Sequence, residues 1–222
     1  MKTAVLFDLD GTLLDTLGDL HAAVNHTLAQ FGYPLRTIEE VCRFVGNGAA
    51  RLIDLAVPEG AEAAPVLAAF QQYYAAHCDI LTRPYAGIPE ALAVLGEHYP
   101  LAVVSNKPDR AVKELAKIYF PTLFARGEDV DCPRKPAPDM VLQALAAVGA
   151  ERCVYVGDSD VDIVTARNAG MPCLSVTWGF RGRRSCGKWA AGIFATLRRS
   201  CPRPLPGLCK RNLPFKEPYI SR

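Results

Sequence analysis

The chain begins with a short apolar run that ends in two closely spaced carboxylates. Residues 4–7 are apolar, and Asp8-Leu9-Asp10-Gly11-Thr12 follows directly. A run rich in branched and aromatic residues that stops at a glycine is typical of a central strand in a parallel sheet. Because ligands bind beyond the carboxyl ends of such strands, the two acids are predicted to lie in a functional site.

The composition indicates a folded protein that does not cross a membrane. The chain has 222 residues, of which 50% are hydrophobic, enough for one domain or for a domain with an insertion. No stretch reaches the roughly 18 apolar residues of a membrane span, and the N-terminus lacks a signal-peptide pattern, so we expect a cytoplasmic protein. The eight cysteines are scattered without a C-x-x-C pair, which predicts free thiols and no zinc.

The pattern along the chain predicts an α/β fold, a parallel Rossmann-like sheet with helices on both faces and an inserted α-helical cap. Apolar residues at helical spacing predict helices near 17–31, 38–44, 49–56, 62–77, 109–118, 138–148 and 161–168. Apolar runs predict strands at 101–105, 122–125, 153–156 and 173–176. The predicted core comprises residues 1–14 and 85–182, and the predicted helical cap comprises residues 15–84, which could act as a lid.

Polar residues follow two further predicted strands and precede one helix. Ser105 and Asn106 end the second strand, Asp158 and Asp162 follow a buried strand, and Lys135 lies just before a proline-initiated helix. Each feature also has an ordinary structural interpretation: serine, asparagine and aspartate cap helices, and a lysine is commonly solvated. Their occurrence together at strand ends favours one site.

These motifs, taken in order, resemble those of the haloacid dehalogenase superfamily over about residues 4–180. Its phosphotransferases have D-x-D in the first motif, Ser or Thr in the second, Lys in the third and G-D-x-x-x-D in the fourth. The corresponding residues are Asp8 and Asp10, Ser105, Lys135, and Asp158 with Asp162. The nucleotide-binding pattern G-x-x-x-x-G-K-S/T is absent from the sequence.

The resemblance implies a Mg²⁺-dependent phosphomonoesterase with an aspartyl-phosphate intermediate. Asp8 would attack phosphorus, Asp10 would act as general acid and base, and Lys135 would offset negative charge. Asp8 and Asp158 would bind Mg²⁺ through side chains and Asp10 through its carbonyl, with Asp162 supporting the metal site.

Phosphate binding and reaction class follow from the same resemblance. The predicted phosphate-binding residues are Ser105, Asn106, Gly11 and Thr12, which would orient the phosphoryl oxygens. Dehalogenases of this superfamily lack the second carboxylate because a halide leaves without protonation. Asp10 therefore indicates phosphate chemistry.

The inserted helical segment bears on the substrate. Such a cap resembles that of the subfamily containing phosphoglycolate phosphatase and β-phosphoglucomutase, and residues 45–51, 105–108 and 177–179 look like segments of the bacterial phosphoglycolate phosphatases. Arg51 could bind a substrate carboxylate, although an exposed helix arginine is an equal interpretation. Asp15 and Thr16 could couple closure to the site or simply cap the next helix.

Alternatives to a phosphoglycolate phosphatase stay open. A β-phosphoglucomutase-like phosphotransferase would share every core residue and differ in the phosphoryl acceptor. An inactive scaffold whose basic tail binds nucleic acid is a further alternative. The expected partner is a small phosphorylated metabolite, with nucleic acid bound only through the tail, and the expected assembly is a monomer or a homodimer.

The C-terminal residues differ in charge from the rest of the chain. Residues 1–180 carry 14 Lys+Arg against 22 Asp+Glu, whereas residues 181–222 carry 11 against one. The basic, proline-broken segment 183–222 departs from the strand and helix with which the superfamily ends. It is either a frameshifted or otherwise abnormal terminus or a genuine basic arm for an acidic partner, and it is predicted to be disordered.

Overall fold

A computed structural model describes residues 2–181 of the chain. The strands are β1 Thr3–Phe7, β2 Leu14–Asp15, β3 Arg83–Pro84, β4 Leu101–Pro108, β5 Phe124–Glu128, β6 Arg152–Gly157 and β7 Cys173–Ser175. The helices are α1 Leu17–Gln30, α2 Ile38–Phe44, α3 Gly48–Ala56, α4 Ala63–His77, α5 Ile88–Gly96, α6 Asp109–Tyr119, α7 Asp139–Ala147 and α8 Asp160–Asn168. The predictions for segment 183–222 lie outside the described residues.

Five parallel strands form the central sheet, in the order β5-β4-β1-β6-β7. Strand β1 lies in the middle, where Val5 pairs with Leu101 on one side and with Val154 on the other. This arrangement confirms the predicted α/β fold. It also places the residues after β1 at the centre of the carboxyl edge of the sheet, with neighbouring strands on both sides.

Both faces of the sheet are covered, which explains the unbroken apolar run in β1. Val5 and Phe7 belong to one apolar cluster, whereas Ala4 and Leu6 belong to the other. The first cluster includes buried residues of α1–α6, and the second includes buried residues of α7 and α8. Alternate side chains of one strand therefore anchor two layers of helices.

Helices α1–α4 form the segment between β2 and β3. These two short strands pair antiparallel, Leu14 with Pro84 and Asp15 with Arg83, so the segment leaves and rejoins the core at one place. A further tie is the buried carboxylate of Asp19, which accepts hydrogen bonds from the backbone N–H groups of Leu81 and Thr82. The movement of residues 15–84 as a lid stays a prediction.

The structure differs from the sequence prediction in five elements. Helix α5 was not predicted, although proline in its first turn is compatible with a helix start. Strand β4 continues past Ser105 to Pro108, and β5 is displaced toward its polar end, as an edge strand allows. Strands β2 and β3 have two residues each and are too short to give a periodic signal.

Candidate active site

Asp8 and Asp10 lie directly beyond the carboxyl end of β1. The backbone N–H of Asp8 extends the sheet by donating to the carbonyl oxygen of Val156 at 2.8 Å. The carbonyl oxygen of Leu9 then accepts hydrogen bonds from three successive backbone N–H groups, those of residues 12–14. Gly11 adopts a φ of 81°, which favours glycine, and this closes the turn. The turn holds both carboxylates at the sheet edge.

The Asp8 carboxylate forms a buried ion pair with Lys135. The Nζ atom of Lys135 donates to Asp8 Oδ1 at 2.8 Å and to Asp162 Oδ1 at 2.7 Å. It also donates to the hydroxyl of Tyr155 at 3.1 Å, and that hydroxyl donates onward to the carbonyl of Val104. Lys135 is therefore fixed between an acid that follows β1 and an acid in the first turn of α8.

Burial and charge act in opposite directions on this pair. Burial would lower the pKa of Lys135, but the charges of Asp162 and Asp8 outweigh it and raise that pKa well above the usual lysine value. Burial raises the pKa of Asp8 to about 8, against the opposing effect of Lys135. For Asp8, the effect of burial therefore exceeds that of the neighbouring lysine.

A second buried ion pair joins Asp10 to Lys107. The Nζ atom of Lys107 lies 2.8 Å from Asp10 Oδ1 and 2.9 Å from Oδ2, and the lysine side chain is 2% exposed. The hydroxyl of Thr16 donates to Asp10 Oδ1 at 2.7 Å. The second carboxylate thus has its own lysine and its own hydroxyl donor.

Asp158 completes an acidic cluster with Asp8 and Asp162. One carboxylate oxygen from each of these three buried residues lies within 4.8 Å of the other two. Asp158 Oδ2 accepts a hydrogen bond from the backbone N–H of Phe180 at 2.8 Å. Burial, and then the charge of Asp162, raise the pKa of Asp158 to about 6. Such a cluster is suited to a hard cation with oxygen ligands.

Two glycines make room for this cluster. A methyl group at Gly11 would lie 2.5 Å from Asp158 Oδ2, and one at Gly179 would lie 2.4 Å from the same atom. The Asp162 carboxylate is fixed by Ser159 at the start of α8, because its Oδ2 accepts hydrogen bonds from the backbone N–H and the hydroxyl of Ser159. The cluster is therefore held in a tight, preformed cradle.

The second predicted motif, Ser105 with Asn106, holds the backbone around Lys135 through its asparagine side chain. The Oδ1 atom of Asn106 accepts from the backbone N–H of Lys135 at 2.7 Å, and its Nδ2 atom donates to the carbonyl oxygens of Lys135 and Gly46. Ser105 is buried at the same edge, and its hydroxyl accepts from the backbone N–H of Lys107 at 3.3 Å. Asn106 thus positions the loop that carries Lys135, here called the lysine loop, and it contacts the helical segment.

A small cavity lies above these groups, with about 50 Å³ of free space. That volume of free space suits a small substrate. Its polar floor comprises Asp8, Asp10, Ser105, Asn106, Lys107, Lys135, Asp158 and Ser159. The opposite wall is formed mostly by apolar residues and glycines of the helical segment, Leu20, Val45, Gly46, Gly48, Ala49, Leu52 and Phe70, together with Tyr74.

The remaining predicted residues do not line this cavity. Gly11 and Asp162 lie immediately behind it, against Asp158. Thr12 is buried in the turn after β1, where its carbonyl accepts a hydrogen bond from Trp178. The guanidinium group of Arg51 is half exposed and pairs with Asp54 of the same helix, so the structure does not bring it to the site.

Sequence reasoning missed several residues that line the cavity, above all Lys107 and Tyr74. Side chains two positions apart on a strand share a face, so Lys107 follows Ser105 once the strand is known to continue. Arg181 was also missed; its guanidinium donates to the carbonyl of Val45 at 2.9 Å and to Asp160 at 3.2 Å.

The fold and site define an α/β enzyme whose carboxylates and lysines meet at the carboxyl edge of a parallel sheet. Residues 5–176 match the model of the haloacid dehalogenase-like hydrolases. The chain therefore belongs to the haloacid dehalogenase-like hydrolase family, and within it the chain is a phosphatase that acts on a small phosphorylated substrate.

Curated relatives are similar over most of the chain. A phosphoglycolate phosphatase of Cereibacter sphaeroides (strain ATCC 17025) is 37% identical over 187 residues, covering 80% of this chain and 86% of the relative. Phosphoglycolate phosphatase 1 of Pseudomonas aeruginosa is 37% identical over 198 residues, covering 81% of this chain and 71% of the relative.

Solved structures share the fold. A proposed phosphoglycolate phosphatase of Lactobacillus delbrueckii subsp. bulgaricus has a TM-score of 0.78 and 38% identity, covering 85% of this chain and 92% of its own. A haloacid dehalogenase-like hydrolase of Streptococcus pneumoniae has a TM-score of 0.74 and 26% identity, with coverages of 82% and 88%. In the described part of the chain, no helix has the length and apolar character needed to cross a membrane.

Proposed function

We propose that this phosphatase hydrolyses 2-phosphoglycolate in a Mg²⁺-dependent reaction. The observation that carries the proposal is the pairing of two buried carboxylates with two separate lysines, Asp8 with Lys135 and Asp10 with Lys107, beneath one small cavity. The first pair suits attack on a phosphoryl group, and the second suits a small acidic leaving group. The names of the curated relatives support the same substrate.

Asp8 is the proposed nucleophile. Its carboxylate attacks phosphorus and forms an aspartyl-phosphate as the ester bond breaks. Lys135 holds this carboxylate in place and offsets the negative charge of the phosphoryl oxygens. Ser105 lies on the floor of the cavity and, with nearby backbone N–H groups, would orient those oxygens.

Asp10 is the proposed general acid and base. In its protonated form it gives a proton to the departing alkoxide, and as a carboxylate it then takes a proton from the water that hydrolyses the aspartyl-phosphate. The hydroxyl of Thr16 and the ammonium group of Lys107 fix the orientation of its carboxylate. Gly11 and Thr12 shape the turn rather than contact the substrate.

The acidic cluster fits a divalent cation. Around the cavity, Asp8 and Asp162 pair with the ammonium group of Lys135, Asp10 pairs with that of Lys107, and Arg181 pairs with Asp160. In the described part of the chain, the four carboxylates of Asp8, Asp10, Asp158 and Asp162 therefore outnumber the two buried lysines, which favours a divalent cation such as Mg²⁺. Asp8, Asp158 and the carbonyl of Asp10 would hold Mg²⁺, and Asp162 would support them from behind. The ion would reduce the repulsion between Asp8 and the phosphate dianion.

A phosphorylated metabolite is charged and does not cross membranes unaided, so we expect the enzyme to act in the cytoplasm. A mutase would require a bisphosphate activator and would pass the phosphoryl group to a sugar phosphate instead of water. A sugar phosphate therefore distinguishes the two activities.

Phosphate release from 2-phosphoglycolate tests the proposal, measured beside β-glucose 1-phosphate with and without β-glucose 1,6-bisphosphate. We expect Mg²⁺-dependent release from 2-phosphoglycolate that EDTA stops and that Asp8→Asn abolishes. Asp139→Asn is the matched control, since Asp139 begins α7 and does not line the cavity. Bisphosphate-dependent conversion of β-glucose 1-phosphate without release from 2-phosphoglycolate would overturn it in favour of a mutase.

A further inference from the structure

We propose that Lys107 and the hydroxyl of Tyr74 bind the carboxylate of the substrate, so that the enzyme selects phosphorylated α-hydroxy acids. The inference rests on the proposed function, because it assigns a receptor to the acid end of a substrate whose phosphoryl end lies at Asp8. Lys107 and Tyr74 would set the specificity, whereas Asp8, Asp10 and Lys135 would carry out the reaction.

Lys107 is a cation buried at the end of the cavity occupied by Asp10. Its side chain is 2% exposed, and the residue lines the cavity. Among the described residues, Asp10 is its only ion-pair partner, whereas Lys135 has both Asp8 and Asp162. The two lysines therefore divide the cavity into a phosphoryl end and a leaving-group end.

The ammonium group of Lys107 can bind a second acceptor. It has three N–H donors, and its described hydrogen bonds go to the two carboxylate oxygens of Asp10. A carboxylate on the substrate can accept the remaining donor at this end of the cavity.

The chemistry of 2-phosphoglycolate places its carboxylate at this position. The ester oxygen must face Asp10 to receive the proton, and one carbon atom separates that oxygen from the carboxylate carbon. The carboxylate therefore lies beside Asp10, where the Lys107 ammonium group is within hydrogen-bond distance of the acid.

Tyr74 provides an independent observation for a ligand at this place. It comes from α4, lines the cavity and is 3% exposed, and its buried hydroxyl donates its proton to no described residue. The Lys107 ammonium lies over its ring, 4.7 Å from the centroid. A buried hydroxyl whose proton has no acceptor is costly, and a substrate carboxylate would accept its proton in a hydrogen bond.

Arg51, the carboxylate ligand suggested by the sequence, is poorly placed for the task. It is half exposed and paired with Asp54, outside the cavity lining. The apolar side chains of Leu20 and Phe70 also line the cavity, and an apolar lining strengthens a charge pair formed there. Selectivity for an acidic leaving group is therefore predicted to depend on Lys107 rather than Arg51.

The test compares two substrates that differ only at the group in question, 2-phosphoglycolate and 2-hydroxyethyl phosphate. We expect wild-type kcat/KM to favour 2-phosphoglycolate by at least about tenfold, the value of one hydrogen bond to a charged group. Lys107→Met should remove that preference, and Tyr74→Phe should reduce it by about threefold or more. Lys117→Met is the control, because Lys117 is an exposed lysine in the last turn of α6; it should leave both values unchanged.

The outcomes separate this inference from the proposed function. If wild type releases no phosphate from 2-phosphoglycolate, the proposed function fails and the inference fails with it. If wild type prefers 2-phosphoglycolate and Lys107→Met lowers both substrates equally, Lys107 acts only on Asp10 and the inference alone is overturned. Loss of the preference in Arg51→Met, with Lys107→Met retaining it, would also overturn it.

A wild-type measurement keeps the inference testable if Lys107→Met does not fold. Two phosphonates, 3-phosphonopropionate and 3-hydroxypropylphosphonate, are compared as competitive inhibitors of p-nitrophenyl phosphate hydrolysis. At least about tenfold tighter inhibition by the carboxylate, reduced in Tyr74→Phe, supports the receptor. Equal inhibition by the two compounds contradicts it.

Discussion

Asn106 and Lys135 are joined by two hydrogen bonds between the asparagine side chain and the lysine backbone, one accepted at 2.7 Å and one donated at 3.0 Å. The same amide nitrogen lies 3.3 Å from the carbonyl oxygen of Gly46 in the helical segment. One side chain therefore connects strand β4, the lysine loop and the segment above the cavity.

Replacing Asn106 should affect both stability and catalysis. Asn106→Ala leaves buried backbone groups of Lys135 without partners, so we expect the free energy of unfolding to fall by about 2 kcal/mol in urea denaturation. We also expect kcat to fall by about tenfold, because Lys135 loses its fixed position. Asn168→Ala is the control, since this exposed side chain donates to Pro136 in the same loop. Equal effects of the two substitutions would contradict the positioning role.

Gly11 can be tested with a control that has the same backbone conformation. Gly11 and Gly60 have φ values of 81° and 82°, but a methyl group would approach Asp158 Oδ2 to 2.5 Å only at Gly11 and would meet nothing within 4 Å at Gly60. Gly60→Ala should cost only the backbone strain, about 1 kcal/mol.

Gly11→Ala should in addition displace Asp158. We expect the Mg²⁺ concentration needed for half-maximal activity to rise by about tenfold or more, because misplaced ligand and supporting groups lower metal affinity to that extent. An unchanged Mg²⁺ dependence in a folded Gly11→Ala protein would show that Asp158 is not a metal ligand.

The pKa shifts predict how stability without metal depends on pH. The pKa of Asp8 is raised to about 8 and that of Asp158 to about 6, whereas an unfolded aspartate titrates near pH 4. Between about pH 4 and 8 the folded protein therefore binds more protons than the unfolded chain. The contribution of these groups to the free energy of unfolding is greatest below pH 4 and declines as the pH rises to 8.

Thermal unfolding of EDTA-treated protein checks this direction. We expect Tm to be about 3 °C or more lower at pH 8 than at pH 5.5, and Mg²⁺ to raise Tm more at pH 8, where fewer protons compete for its ligands. Asp8→Asn, which removes one titrating group, should show a weaker pH dependence. A stabilisation by Mg²⁺ that is the same at both pH values would refute the linkage.

The fold could be predicted from sequence because its central strand is buried on both faces. The apolar residues 4–7 and the alternation of strands and helices are direct consequences of that burial. Asp8, Asp10 and Asp158 could be predicted for a related reason: each follows an apolar strand, and parallel strands bring their carboxyl ends to one edge.

The positions of the Lys107 and Arg51 side chains could not be predicted from the sequence. Lys107 could not be assigned because its burial depends on the continuation of β4 past Ser105, through an irregularity in its pairing with β5. Arg51 belongs to helix α3, whose residues Ala49 and Leu52 line the cavity. The helical period of 3.6 residues places Arg51 on another face of that helix, away from the cavity. The motif identified the helix, but the side-chain direction required the structure.

Thr16 offers a test of the proton-transfer role of Asp10. Thr16→Val removes the hydroxyl that donates to Asp10 at 2.7 Å while keeping the size of a fully buried side chain. We expect kcat/KM for 2-phosphoglycolate to fall by about tenfold, because an alkoxide leaves only with a proton and Asp10 is no longer well oriented. For p-nitrophenyl phosphate we expect less than about a twofold change, because nitrophenolate leaves without protonation.

The control for Thr16→Val is Thr27→Val, which removes an equally buried hydroxyl whose hydrogen bond stays within helix α1, to the carbonyl of Ala23. It should leave both substrates unchanged, so that any general effect of losing a buried hydroxyl is accounted for. The parameter kcat/KM is the suitable measure because it reports the steps up to departure of the alcohol, before water attacks the aspartyl-phosphate. Equal losses on the two substrates in Thr16→Val would mean that Thr16 acts on folding or binding, and Asp10 would then lose its support as the group that protonates the leaving oxygen.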